Sequence, residues 1–254
     1  MYGKVLTPVH VRGIASRTCR CVFSTTTGHM KQQIPRKKGK SSHLWLLRQF
    51  SDPYVEKAKM SNYRCRSAFK LREIDDRFHI LSPGQCVIDC GAAPGSWTQV
   101  AVERVNALGT EEKQPVGHVI AVDCLPIYPV NGAIILGGHD FTEQTTQKKL
   151  REHLNNFGPA DVILSDMAPN ATGVRVLDQE NILVLAYAAF KFALTVSKPG
   201  SAMLLVKIWD GGGVPSLCTD LNRYYESVKV VKPAASRTDS AEKFILARGF
   251  KKSV

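Results

Sequence analysis

The sequence predicts an α/β fold with a mostly parallel sheet, helices on both faces and an antiparallel hairpin at one edge. After residue 40, short apolar runs alternate with longer segments of helical periodicity, which is typical of strand–helix–strand units. Several of these runs are apolar throughout, as in strands that are covered on both faces. The last two runs have no helix between them, so we expect them to form the hairpin.

The predicted strands are short runs rich in branched aliphatic residues. They cover 86–90, 118–123, 133–137, 161–166, 202–209, 227–232 and 243–249. The predicted helices repeat their apolar residues every three or four positions. They cover 63–78, 96–107, 143–155, 178–197 and 216–226. Upstream, Asp52-Pro53 marks a turn or the start of a further helix, because proline is favoured in the first turn.

The N-terminal segment differs from the rest of the chain. Its first 50 residues contain ten Lys or Arg and no Asp or Glu, and they are rich in Ser and Thr. This composition is typical of a mitochondrial transit peptide, and a basic tail that touches nucleic acid is the alternative. We therefore expect a leader at 1–40 and one folded domain at 41–254. The net charge of +12 comes mainly from this segment, so it says little about the folded part.

The seven cysteines indicate no metal centre, because none forms a CxxC pair or has zinc-finger spacing. We expect Cys86, Cys90 and Cys124 to be small buried thiols in or beside strands. No apolar run reaches about 18 residues, so no membrane-spanning helix is expected.

A glycine-rich loop follows the first predicted strand and indicates a nucleoside cofactor. The stretch 87–97 reads VIDCGAAPGSW, in which Gly91 and Gly95 allow tight turns and close approach of a ligand. The loop departs from GxGxxG and is followed by no phosphate-binding lysine. This argues against a P-loop and against an NAD-dependent dehydrogenase. A cofactor with a ribose and an adenine but no pyrophosphate fits better.

Acidic residues stand at the ends of the predicted parallel strands, where ligands bind in such sheets. Asp123 ends the second strand and can accept both hydroxyls of a ribose. Asp140, after the third strand, can accept from an adenine amino group. The alternative for both is an ordinary cap or turn residue.

Asp166 and Lys207 end neighbouring strands and are either a simple ion pair or part of a catalytic site. Lys207 interrupts an apolar strand, so its stem is predicted to be buried. A buried lysine that lacks full pairing loses its proton more readily and becomes a usable general base.

The window 57–72 carries six positive residues and no acid. We expect Lys57, Lys59, Arg64 and Arg66 to contact RNA phosphates and Lys70 to turn into the site, and a solvated basic face is the alternative. Glu242, which opens the last strand, is by itself most simply a solvated carboxylate.

Together these segments resemble the FtsJ family of S-adenosylmethionine-dependent RNA ribose 2′-O-methyltransferases. The resemblance covers about 42–252 and rests on specific motifs. They are RSAFKL at 66–71, VIDCGAAPGSW at 87–97, LSDMAPN at 164–170, the strand at 204–211 and KPAASRTDSAE at 232–242. The leader and the segment HLWLLRQFSDPYVEKAK, with which the folded part begins, are similar to the mitochondrial branch of the family. That branch acts on large-subunit ribosomal RNA.

The resemblance implies roles for particular residues. The catalytic Lys-Asp-Lys-Glu tetrad of the family falls on Lys70, Asp166, Lys207 and Glu242. The cofactor-lining positions fall on Pro94, Gly95, Ser96, Trp97, Asp123, Asp140 and Asp166. No metal is implied. The implied substrate is a uridine of mitochondrial large-subunit rRNA or of a pre-ribosomal particle in the matrix. The alternative is a ribosome-assembly factor that binds RNA and keeps the fold without needing the activity.

The chain departs from the family pattern in three places. Ser96 replaces a common glycine, the turn at 210–213 (DGGG) is unusually rich in glycine, and the loop at 109–117 is long. None of these departures removes a member of the tetrad.

Overall fold

The computed structural model describes residues 52–251 and contains a seven-stranded sheet in the order β3-β2-β1-β4-β5-β7-β6. The strands are β1 Cys86–Cys90, β2 His118–Asp123, β3 Ala133–Gly137, β4 Val162–Ser165, β5 Met203–Trp209, β6 Tyr225–Val231 and β7 Glu242–Phe250. Strands β1 to β5 pair in parallel, and β7 pairs antiparallel with both β5 and β6. The predicted fold is confirmed. The predicted leader at 1–40 lies outside the described residues.

Residues 52–251 contain six helices. They are α1 Pro53–Met60, α2 Ala68–Phe78, α3 Ser96–Arg104, α4 Gln144–Phe157, α5 Arg175–Val196 and α6 Val214–Tyr224. Helices α3, α4 and α5 connect parallel strands, whereas α1 and α2 precede β1 and α6 leads into β6. Asp52 caps α1, because its side chain accepts from the amide of Tyr54. Helix α2 begins five residues later than predicted. The amide of Arg64 donates to the side chain of Gln99 instead of to a helical carbonyl, so the preceding segment is a loop.

Two apolar layers cover the sheet, and the alternation along β5 assigns its side chains to them. Leu204, Val206 and Ile208 belong to the cluster that contains the buried residues of α5. Leu205 belongs to the opposite cluster, which contains the buried residues of α2 and α3. Lys207 shares the face of Leu205, so it points towards α2.

The sheet has its switch point at β1, which lies between β2 and β4. The loops that follow β1, β2, β4 and β5 therefore meet at one edge, where ligands bind in this class of fold. Cys86 and Cys90 are buried as predicted, but Cys124 is exposed because it follows the last residue of β2. None of the helices in 52–251 is long and apolar enough to cross a membrane.

Candidate active site

Lys207 and Asp166 form a largely buried pair at the ends of β5 and β4. Lys207 is 8% exposed, and its Nζ donates to the main-chain oxygen of Asp166 at 2.5 Å. The same Nζ lies 3.1 Å from Asp166 Oδ1. This second contact is an ion pair without hydrogen-bond geometry, and Oδ1 has no donor among the described residues. The amine is thus anchored to one residue, by a hydrogen bond to its main-chain oxygen and by an ion pair with its carboxylate.

Lys70 and Glu242 form a second pair beside the first. Lys70 Nζ donates to Glu242 Oε2 at 2.8 Å, and both side chains are largely buried. Helix α2 supplies Lys70, and the first residue of β7 supplies Glu242. Glu242 of β7 lies opposite Trp209 of β5, and Phe244 of β7 lies opposite Lys207 of β5. These four strand residues therefore share one face of the sheet. The four residues expected to form the tetrad are therefore brought together as two ion pairs, Lys207–Asp166 and Lys70–Glu242.

Hydroxyl groups hold the two carboxylates in place. Ser67 Oγ donates to Asp166 Oδ2 at 2.9 Å, and Ser236 Oγ donates to Glu242 Oε1 at 2.7 Å. Trp97 is buried against Phe244, and its indole donates to the main-chain oxygen of Ser67 at 2.9 Å. The Trp97 side chain is therefore a core residue that supports Ser67. Its expected contact with the cofactor stays a prediction.

The glycine-rich loop after β1 is shaped by close packing. Gly91 has φ +76°, and a Cβ there would lie 2.7 Å from the main-chain nitrogen of Met167. Gly95 has φ +107°, and a Cβ there would lie 2.5 Å from the guanidinium of Arg64. Both positions therefore need glycine for conformation and for space. Pro94 is exposed at the rim of the loop and Ser96 is buried at the start of α3.

Arg64 binds this loop from the side. Its Nη1 donates to the main-chain oxygens of Pro94 and Tyr128, and its Nη2 donates to that of Pro129, each at 2.7 Å. The guanidinium therefore joins the loop after β1 to the loop after β2. The expected phosphate contact competes with these three intrachain bonds.

Asp123 ends β2 and Asp140 follows β3, so both lie at the edge of the sheet where the glycine-rich loop follows β1. Asp123 accepts from the amides of Ala93 and Leu125 at 2.9 and 2.8 Å, one at each carboxylate oxygen. Asp140 is exposed and accepts from the amide and the hydroxyl of Thr142 through Oδ1. Each carboxylate oxygen has two lone pairs, so both residues keep acceptor capacity for a ligand.

Asp89, in β1, is fully buried beneath this loop. Its Oδ2 accepts from the Thr98 hydroxyl at 2.7 Å, and its Oδ1 has no partner in the described part of the chain. Burial, together with the nearby charges of Asp166 and Asp123, raises the pKa of the Asp89 carboxyl to about 7. Sequence reasoning noted this acid only as the end of a strand.

The basic segment divides into exposed and internally bonded residues. Lys57 and Lys59 are exposed on α1, and the Lys57 amine lies 5.2 Å from the centre of the Tyr54 ring. Arg66 bonds to Asp52 and to the main-chain oxygen of Ala235. Arg66 therefore ties the start of α1 to the loop before β7, which leaves the two lysines as the exposed candidates for phosphate contact.

Comparison with known proteins identifies the family. The sequence profile of the FtsJ-like methyltransferases matches residues 63–250. The chain belongs to the FtsJ-like methyltransferase family. It is similar to "rRNA methyltransferase 2, mitochondrial" of Drosophila melanogaster, with 57% identity over 92% of this chain and 96% of that protein. It is also similar to "Ribosomal RNA large subunit methyltransferase E" of Rhodopseudomonas palustris, with 46% identity over 89% and 92% of the two chains.

A solved structure supports the same assignment. The crystal structure of a protein described as a ribosomal RNA methyltransferase from Plasmodium falciparum has a TM-score of 0.64 and 26% identity. The match covers 74% of this chain and 98% of that one. The resemblance to the FtsJ family stated from the sequence motifs is thus confirmed.

Sequence reasoning missed the supporting groups of this methyltransferase. Ser67 and Ser236 lie in the motifs RSAFKL and KPAASRTDSAE, but a serine hydroxyl has no periodic signature. Arg64 was expected to contact an RNA phosphate, because its neighbours in the sequence are basic. Only the folded chain brings Pro94 and Tyr128 to it.

Proposed function

We propose that this protein methylates the 2′-hydroxyl of a ribose in ribosomal RNA with S-adenosylmethionine as the methyl donor. The observation that carries the proposal is the placement of Lys207 Nζ. It is largely buried, is held by Asp166 and lies at the sheet edge that carries the glycine-rich loop. Membership of a methyltransferase family supports methyl transfer as the reaction.

The residues present fit S-adenosylmethionine. The loop is held in a fixed shape, because Gly91 packs against Met167 and Gly95 against Arg64. Asp123 and Asp140 offer carboxylate oxygens for ribose hydroxyls and an adenine amino group, and Asp166 Oδ1 is a buried acceptor without a donor. When bound, the cofactor supplies a methyl group on a positively charged sulfur.

The chain's own residues perform the proton transfer and the positioning. The ribose hydroxyl is a poor nucleophile and must lose its proton during attack, and Lys207 Nζ in its neutral form is placed to accept that proton. Asp166 orients the Lys207 amine through its main-chain oxygen and its carboxylate. Lys70, held by Glu242 at 2.8 Å, places a second positive charge beside the site. Much of the acceleration then comes from holding the hydroxyl in line with the methyl group.

The proposed substrate is a uridine of large-subunit ribosomal RNA, free or in a pre-ribosomal particle of the mitochondrial matrix. The names of the Drosophila and Rhodopseudomonas relatives support this, since one is called mitochondrial and the other acts on the large subunit. The acid-free composition of 1–40, which lies outside the described residues, is typical of the matching leader.

The deciding experiment maps ribose 2′-O-methylation on mitochondrial large-subunit RNA with and without this protein. We expect one modified position to disappear when the protein is absent and to return with the unaltered protein. A Lys207→Ala variant should be present at the same level as the unaltered protein but should not restore the methylation. If that variant restores methylation, the base assignment fails.

A binding measurement tests the cofactor separately. Titration with S-adenosylmethionine should saturate, and Asp123→Ala should weaken binding while Lys207→Ala should not. If the unaltered protein binds no S-adenosylmethionine and no position loses its methyl group, the assembly-factor alternative is favoured instead.

A further inference from the structure

A second pocket lies beside the paired lysines, at the end of β5. It is open, has a volume of about 240 Å³, and is lined by Gly173, Arg175, Asp178, Gln179, Trp209 and Ala241. None of these residues belongs to the tetrad or to the glycine-rich loop. Yet Trp209 is two residues from Lys207 in β5 and pairs directly with Glu242. Trp209 therefore places one side of the pocket next to the strand positions of Lys207 and Glu242.

Trp209 is placed as a contact surface. Residues two apart in a strand point to the same side, so Trp209 follows Lys207 on the same face, about 7 Å further along the strand. Its side chain is partly exposed, whereas Trp97 is buried. A partly exposed indole is a side chain on which nucleobases can stack.

The glycine-rich turn at 210–213 packs behind the wall that contains Gln179. A Cβ on Gly211 would lie 2.9 Å from Gln179 Nε2, and a Cβ on Gly213 would collide with Leu183. Glycine at these positions lets the turn lie directly against the start of α5. The glycine-rich turn noted in the sequence thus supports Gln179, one of the residues that line the pocket.

Hydrogen bonds hold this wall in place. Asp210 accepts from Gln179 Nε2 through its main-chain oxygen at 2.7 Å, and its amide donates to Ala241 at 2.8 Å. Lys243 Nζ also donates to Asp210 Oδ2 at 2.7 Å. On the other side, Asp178 accepts from the amide and hydroxyl of Thr172, both at 2.7 Å. The pocket is therefore a built feature and not a gap between loose segments.

We propose that this pocket binds one nucleobase of the substrate RNA, next to the ribose presented to Lys207, with Trp209 as its stacking surface. The inference rests on the proposed function and names a subsite of it. Base and 2′-hydroxyl are attached to adjacent carbons of one ribose, which matches the short separation of Trp209 and Lys207. Arg175, exposed at the rim, carries the positive charge that an RNA strand requires. The side chains of Gln179 and Asp178 offer polar groups to the edge of a base.

The test uses the full chain and two short RNA probes. One is an oligouridylate, and the other has the same ribose–phosphate backbone without bases. Tryptophan fluorescence should be quenched by the oligouridylate and much less by the abasic probe, and Trp209→Phe should abolish the difference in quenching. Equal quenching by the two probes would overturn the proposal, because the pocket would then bind the ribose–phosphate backbone or no part of the RNA.

Kinetics with a large-subunit RNA transcript provide the second readout. Trp209→Ala should raise KM for RNA about tenfold, in line with the loss of one stacking contact, without changing KM for S-adenosylmethionine. Trp209→Phe keeps a stacking ring and should stay within about threefold of the unaltered protein. Val230→Ala, on the edge strand β6, is the control and should change nothing. A Phe variant as impaired as the Ala variant would show that Trp209 acts only in packing.

The two proposals fail in different ways. Methyl transfer by the unaltered protein together with base-independent quenching refutes the subsite and leaves the function. Base-dependent quenching without methyl transfer refutes the function and supports the subsite.

Discussion

The two halves of the ligand-binding edge are held by different forces. Beyond β1 and β2, the cofactor side is shaped by main-chain contacts, such as those of Arg64 with Pro94 and Tyr128, and by glycines with no room for a side chain. At the ends of β4 and β5 and the start of β7, the reaction side consists of charged side chains paired at 2.8 and 3.1 Å. The first half therefore depends on shape and the second on charge.

This difference predicts how each half responds to substitution. A small added volume should damage the cofactor side and spare the reaction side. Removal of a charge should do the reverse, because breaking a buried pair leaves its partner uncompensated.

The largest effect is expected for Lys207→Ala. Loss of a general base should lower kcat by about 10² to 10⁴-fold. Affinity for S-adenosylmethionine should stay within a factor of about three, because the glycine-rich loop is not touched. Single-turnover assays and a cofactor titration measure the two quantities. Lys229→Ala removes an exposed amine from the same sheet, on β6, and should keep most of the activity. A comparable loss of kcat in both variants would contradict the view that the reaction side depends on particular charged groups.

The next effect is expected for Gly91→Ala, with Gly138→Ala as its matched control. Both glycines have nearly the same φ, +76° and +75°, but only Gly91 faces the backbone of Met167. Strain alone should cost about 1 kcal/mol at either site. The collision should bring the loss of unfolding free energy at Gly91 to about 2–4 kcal/mol, together with weaker cofactor binding. Urea denaturation checks this, and equal losses would show that shape does not matter at Gly91.

The third prediction concerns pH and Asp89. Its pKa is raised to about 7 by burial, whereas an unfolded aspartate titrates near about 4. Between these values the folded protein binds more protons, so its unfolding free energy should fall as pH rises, by at most about 1.4 kcal/mol per pH unit.

Asp89→Asn removes this titration and keeps an acceptor for Thr98. It should flatten the fall in stability between pH 4 and 7, whereas the exposed Asp239→Asn should not. Denaturant melts across this range are the measurement. An unchanged slope in Asp89→Asn would assign the pH dependence to other groups.

The smallest effect is expected on the basic helix α1. Lys57→Ala and Lys59→Ala should each weaken RNA binding a few-fold and lower the slope of log K against log salt by about 0.7 for single-stranded RNA. The exposed Lys148→Ala, on α4, is the control. An unchanged slope in both lysine variants would show that α1 does not contact RNA.

The sequence predicted the order and type of nearly every element, because a parallel sheet requires apolar strands and amphipathic helices. Strands β1, β2 and β3 have the predicted bounds. The motifs also pointed to Lys70, Asp166, Lys207 and Glu242, which lie in four distant segments that the fold brings together.

The sequence by itself determined the α/β fold, the family and the residues that carry the expected chemistry, because periodicity and motifs are local properties. Only the tertiary structure decided how those residues are paired. It placed Trp97 in the core, used Arg64 to join two loops, and set Trp209 in a pocket against the start of α5. The physical reason is that pairing, burial and pocket shape depend on contacts between residues far apart in the chain.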